Sequence, residues 1–125
     1  MKYLCLRYVD TRIWDAMSEC DHKLLREKCA AFDEALRQRG HAIEADTLQD
    51  VRSAITLRME EGKVSVIEGP VAVTGDRLSE IVRLKAEDLN HAIQLMSRYP
   101  GMRRGGCLEI RPISECPPTV QGSSL

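Results

Sequence analysis

Gly62-Lys63-Val64-Ser65-Val66-Ile67-Glu68-Gly69-Pro70 stands in the middle of this 125-residue chain, and Leu108-Glu109-Ile110-Arg111-Pro112-Ile113 stands near its end. Each is a short run of strand-forming residues closed by Gly or Pro, which interrupt a ladder. Just before the first run, Ile55, Leu57 and Met59 alternate with Thr56, Arg58 and Glu60, and Glu61-Gly62 offers a turn. Residues 55–68 therefore read as a β-hairpin. Beyond Pro70–Asp76, Leu78, Val82, Leu84 and Ala86 alternate with Ser79, Ile81, Arg83 and Lys85 in a further strand. Leu89, Ala92, Ile93 and Met96 then recur at helical spacing, with Asp88 as cap and Pro100-Gly101 as stop. Gly105-Gly106 introduces a last strand, Cys107 to Arg111, with Leu108 and Ile110 on one face and Glu109 and Arg111 on the other.

Upstream, Lys2 to Val9 carries apolar residues at both parities, the pattern of a central strand with both faces at least partly covered. Thr11 to Met17 reads as a turn. From Ser18 the period changes to that of a helix, with Leu25, Cys29, Phe32 and Leu36 on one stripe, Ser18 and Asp21 as a capping pair and Gly40 as the terminator. Ala42 to Asp50 has no clean period and is expected to be a connecting loop with a short strand. The order strand, helix, strands, helix, strand predicts an α+β fold: a ferredoxin-like βαββαβ unit with an extra hairpin, helices covering one face of an antiparallel sheet. It occupies residues 1–113 as one domain. Residues 114–125, with Pro117-Pro118 and Gly122-Ser123-Ser124, are expected to be disordered.

The chain has 18 basic and 19 acidic residues, which removes the electrostatic footprint of a general nucleic-acid binder. Five cysteines without a CxxC pair, most of them inside predicted elements, fit small apolar packing residues in a reducing cytoplasm. Arg7 and Asp10 interrupt the apolar start well short of a membrane span, so a cytosolic N-terminus and no membrane partner are expected. No cluster has the spacing of a metal site, a phosphate loop or a nucleophile with its base. No metal or cofactor is expected.

Five ordered stretches carry a resemblance: Met1-Lys2-Tyr3-Leu4, Phe32-Asp33-Glu34-Ala35-Leu36 before Gly40-His41, Gly62-Lys63-Val64 leading to Glu68-Gly69-Pro70, Asp88-Leu89 with Ala92-Ile93, and Glu109-Ile110-Arg111-Pro112. Together they resemble the YCII-related family, in the subgroup named for a DGPF motif, over about Met1 to Ile113. The resemblance implies a dimeric ferredoxin-like α/β barrel, in which two protomers pack sheet against sheet and enclose a pocket. This chain departs from the subgroup's pattern: DGPF is Glu68-Gly69-Pro70-Val71, the acidic residue and lysine after it are Val73 and Gly75, and the glycine pair of the next strand is Ser79-Glu80. The histidine of the broader family's proposed catalytic pair falls nearest Cys29.

The expected ligand-binding residues are Arg7, Arg83, Glu109, Arg111 and His41. If Leu108 and Ile110 face the helices, Glu109 and Arg111 face the partner sheet, joined by Arg83, Lys85 and Arg7, where cations could hold a small carboxylate or phosphate. Alternatively these charges pair with Glu109 or with the other protomer. His41 could line the pocket mouth as a base or bind the carbonyls ending the first helix. Cys29 reads as core packing, Asp33 as a solvated charge on the helix, and Arg98, Arg103 and Arg104 as a solvated loop. Trp14 could cap the core or gate a pocket. Two functional classes follow, beside a dimerising interaction module: a small-ligand-binding homodimer, or an enzyme performing proton transfer on a small organic acid.

Overall fold

A computed structural model describes residues 1–114 of the chain. Its central element is β1 (Lys2–Asp10), whose residues alternate in burial: Tyr3, Cys5 and Arg7 are fully covered, whereas Leu4 and Leu6 are half-covered. Alternation follows from the two-residue repeat of a strand. The order continues with helix α1 (Thr11–Ala16), helix α2 (Glu19–Gln38), β2 (Ala42–Thr47), the hairpin strands β3 (Ile55–Glu60) and β4 (Lys63–Glu68), β5 (Asp76–Lys85), helix α3 (Leu89–Met96) and β6 (Cys107–Pro112).

Four strands form an antiparallel sheet in the order β2-β5-β1-β6, and β3 pairs only with β4 in a separate two-stranded ribbon. The chain is thus α+β, an arrangement that fits the ferredoxin-like order with a hairpin added between β2 and β5. One sheet face carries Tyr3, Cys5, Val82 and Leu84, which pack with Leu36 of α2 and with Ala92 and Met96 of α3 in a single apolar core. The other face carries Leu4 and Leu6, with Arg83 and Arg111 paired beside Leu4 and Ile81 and Glu109 beside Leu6.

Local chemistry accounts for the elements that the sequence pattern left unclear. Residues 11–17, expected to be a turn, contain a helix because the Asp10 carboxylate accepts from the Arg12 and Ile13 amides at 3.0 and 3.4 Å. Residues 42–47 form a full strand that lacks a visible period, because only Ala42 is buried and the register with β5 slips between Ala42 and Glu44. The hairpin turn places Glu61 at φ 49° and Gly62 at φ 79°, the two positive dihedrals that a two-residue connection of the right twist demands. Most of the segment expected to be disordered, 115–125, lies outside the described residues.

Leu84 is fully buried where β5, α3 and β2 meet. Leu84→Ala is expected to lower unfolding stability by about 2–5 kcal/mol through lost burial and the cavity left behind, read as a fall in the urea midpoint at unchanged slope.

Candidate functional site

Arg7 shares the core-facing parity of Tyr3 and Cys5, so its strand carries a guanidinium into the layer beneath the helices, where it has no exposed surface. Asp33 of α2 meets it in a bidentate pair: Arg7 Nη2 donates to Oδ1 at 2.7 Å and Nη1 to Oδ2 at 3.0 Å. A second carboxylate, Glu80 of β5, stands 3.7 Å from Nη1. The Tyr99 ring lies 4.2 Å from the guanidinium carbon and the Phe32 ring 6.0 Å away. Arg7 Nε has no hydrogen-bond partner among the described residues, and these rings give the cation an alternative partner through their electron-rich faces. Desolvation pulls the Arg7 pKa down, but the hydrogen bond and charge of Asp33 more than offset it, and the guanidinium is held firmly protonated.

Above this floor lies a cleft of about 670 Å³ between α2 and the β2–β5 edge of the sheet, with Cys29, Asp33, Glu80 and Tyr99 among the lining residues. Leu36 near the C-terminal end of α2 is buried in the core, whereas Leu25 and Cys29 nearer the other end are only half-covered. Tyr99 reaches the site because the chain folds sharply after α3: its ring lies over Gly101, where a Cβ would sit 2.5 Å from the ring, so a larger residue there would push the ring away. At the margin Trp14 stacks on His22 at 4.1 Å, and His22 Nε2 donates to the Trp14 carbonyl at 2.7 Å, tying α1 to α2. Trp14 itself lines the cleft.

Burial pushes the Glu80 carboxyl above the usual carboxylate range, although Arg7 pulls in the opposite sense. Burial likewise raises the Cys29 thiol and, further, the Tyr99 phenol, so both hold their protons at neutral pH. The floor therefore offers one carboxyl whose proton is held more tightly than usual beside two groups that keep theirs. No cluster of metal-ligating side chains occurs among the described residues.

The expected ligand-binding residues are brought together only in part. Arg7 lies on the helix-covered face, not with Glu109, Arg83 and Arg111, which share the open face. There Arg111 lies 3.9 Å from Glu109, and Arg83 3.9 Å from Glu44. His41 is far in the fold from the floor: its Nδ1 donates to the Lys85 carbonyl at 3.1 Å and its ring meets His91 edge to face. Asp33, expected to be solvated, is 9% exposed and bound to Arg7. Cys29, expected in the core, lines the cleft, as does Arg104, which also pairs with Asp21 at 3.8 Å. Glu80 and Tyr99 were not anticipated as site residues.

The model of the YCII-related domain matches residues 1–117. The chain belongs to the YCII-related family. No curated protein matches it in sequence. For this YCII-related chain no helix among the described residues is long and apolar enough to cross a membrane.

Two outcomes are expected. Asp33→Ala leaves Arg7 buried with only the more distant Glu80 as counter-charge, and should cost about 3 kcal/mol in chemical denaturation, while the double variant Arg7→Met/Asp33→Leu should stay within about 1 kcal/mol of the parent. Equal losses in both would show that the pair's shape, not its charge, matters. For Glu80, the folded pKa is raised, so its contribution is full below the unfolded value and is lost as pH rises through the folded one. The stability of Glu80→Gln relative to the parent should therefore increase as pH rises above the ordinary carboxylate range, measured by thermal denaturation at each pH.

Proposed function

We propose that this YCII-related protein is a homodimer that binds a small organic molecule in the cleft beneath α2. The cleft itself carries this reading: about 670 Å³ is the size of a small-molecule site, and its lining sets apolar residues such as Leu25, Leu48 and Leu78 beside charged ones such as Asp33, Glu80 and Arg104. Glu80 is the group that meets the ligand's reacting or hydrogen-bonding end. Protonated, it donates to an acceptor oxygen; ionised, it accepts a proton from the ligand. Arg7 is a positioning residue, since Asp33 occupies two of its donors and Glu80 leans on the same guanidinium.

The same observation favours a second reading, proton-transfer catalysis on a small organic acid. A carboxyl in a cleft floor whose pKa burial raises above the ordinary range can serve as acid and base in turn. We place the chain in the DGPF-motif subgroup on the strength of Glu68-Gly69-Pro70, where Gly69 adopts φ 108° and its amide donates to the Ala54 carbonyl at the hairpin root. Where that subgroup has a glycine pair, this chain has Ser79-Glu80, and Glu80 stands in the cleft floor. The site chemistry is then this chain's own.

Homodimerisation is supported by the open sheet face. Leu4, Leu6 and Ile81 stand half-covered there between Arg83 with Glu44 on one side and Arg111 with Glu109 on the other. A face with both signs at its margins can meet a rotated copy of itself, with each cation opposite an anion. Sedimentation at micromolar concentration is expected to give twice the 14.1 kDa chain mass, and Leu6→Glu to give the monomer. For the cleft, a thermal-shift screen of small organic acids and their neutral amides should find binders, and Glu80→Gln should change their affinity by about tenfold. Binders indifferent to both Glu80→Gln and Cys29→Leu would place the ligand elsewhere.

A further inference from the structure

The β3–β4 hairpin presents one apolar face to solvent. Ile55, Leu57, Met59, Val64 and Val66 are 58%, 63%, 70%, 60% and 66% exposed. The register sets Leu57 opposite Val66 and Met59 opposite Val64, so these side chains form one continuous patch. On the other face stand Thr56, Arg58, Glu60, Lys63, Ser65 and Ile67, while Glu68 closes the root end of the apolar face opposite Ile55. This alternation is that of a ribbon with one side buried. Yet neither strand pairs with the main sheet, and the hairpin's root is fastened by two hydrogen bonds, from the Gly69 amide to the Ala54 carbonyl and from Thr56 Oγ1 to the Gly69 carbonyl. A two-stranded ribbon alone in water is marginal at best.

We propose that this face is covered by a second copy of the chain: each protomer's hairpin clasps the other, extending the sheet-face contact of the proposed homodimer, on which this inference rests. Area argues for that occupant. Five such side chains offer on the order of 400 Å² of apolar surface, about half of the roughly 800 Å² per partner that a stable dimer buries. The open sheet face around Leu4, Leu6 and Ile81 supplies a second patch on the same molecule. Charge points the same way. Arg58, Glu60, Glu61, Lys63 and Glu68 mix both signs along the hairpin, and the whole chain carries −1, so two copies meet without strong repulsion and no field selects a highly charged partner. The clasp also reaches the cleft: Asp50 and Val51 line it, and the turn Val51–Ser53 leads directly into β3, so a held hairpin steadies one cleft wall.

The test compares the full chain with Leu57→Glu/Val66→Glu and with Leu6→Glu by sedimentation velocity over a concentration series, together with amide hydrogen exchange of the parent at low and high concentration. The double hairpin variant is expected to keep its circular dichroism and to dimerise at least tenfold more weakly, and amides 55–68 of the parent to gain protection as dimer forms. A parent dimer with unprotected hairpin amides, or a hairpin variant that dimerises as the parent does, overturns the clasp while leaving the sheet-face dimer standing. A parent monomeric at all concentrations overturns both. Hairpin amides already protected in the monomer overturn the clasp by showing that the chain covers its own patch.

Discussion

Burying a guanidinium without any exposed surface on the central strand is the constraint that the arrangement of this fold answers. A lone cation there would cost several kcal/mol, so a carboxylate must be delivered to it with good geometry. Asp33 is that carboxylate, and its bidentate contact sets both the rotation of α2 about its axis and its height over the sheet. Once Asp33 faces Arg7, Leu36 one turn later falls into the core and Cys29 one turn earlier falls beside the cleft. The same cation then draws in the Tyr99 ring from the turn after α3, so that three separate parts of the chain converge on one charge.

Most of the architecture was legible because it is written in periodicity. The alternation of 55–68 and 107–111, the helical stripe from Leu25 to Leu36 and the spacing of Leu89 to Met96 each reappear as the expected element. What escaped was set by a single contact, since α1 depends on one side-chain cap at Asp10; β2, expected as a short strand within a connecting segment, is an exposed edge strand whose register slip blurs its pattern. The site was less legible than the fold. Arg7 was noticed as a cation, but its parity with Tyr3 and Cys5 was the clue to which face it joins, and that parity only has meaning once the helices are known to cover that side. Asp33 gave a similar signal, since it follows Phe32 and lies four residues after Cys29 and three before Leu36, on the apolar stripe where a solvated charge does not belong. Glu80 and Tyr99 come from distant parts of the sequence and meet only through the pairing of β5 with β1 and the fold-back over Gly101. No spacing announces that.

Glu80 shows why burial and charge must be weighed together. Arg7 at 3.7 Å favours its ionised form, and on that ground alone its carboxyl would fall below the ordinary range. Asp33 has taken the better geometry, however, and a guanidinium already paired with one carboxylate attracts a second only weakly. Desolvation then prevails and the Glu80 proton is held more tightly. The buried pair thus does two things at once: it fixes the helix and, by being already satisfied, leaves desolvation to raise the pKa of its neighbour.

The two sides of the sheet are consequently different in kind. On the helix-covered side, Arg7, Asp33, Glu80 and Tyr99 all come from one chain, so the groups of the floor are complete within a protomer. On the open side, the half-covered Leu4, Leu6 and Ile81 and the cross-strand charges beside them offer surface and no comparable convergence of buried polar groups. In the proposed dimer, assembly therefore acts on the cleft through its walls, by way of the segment that joins Asp50 to β3, and not by supplying a group to its floor. On that proposal, separating the protomers would leave the Arg7, Asp33 and Glu80 arrangement of the floor intact and remove only the support of one wall, which distinguishes the electrostatic contribution to the cleft from the mechanical one.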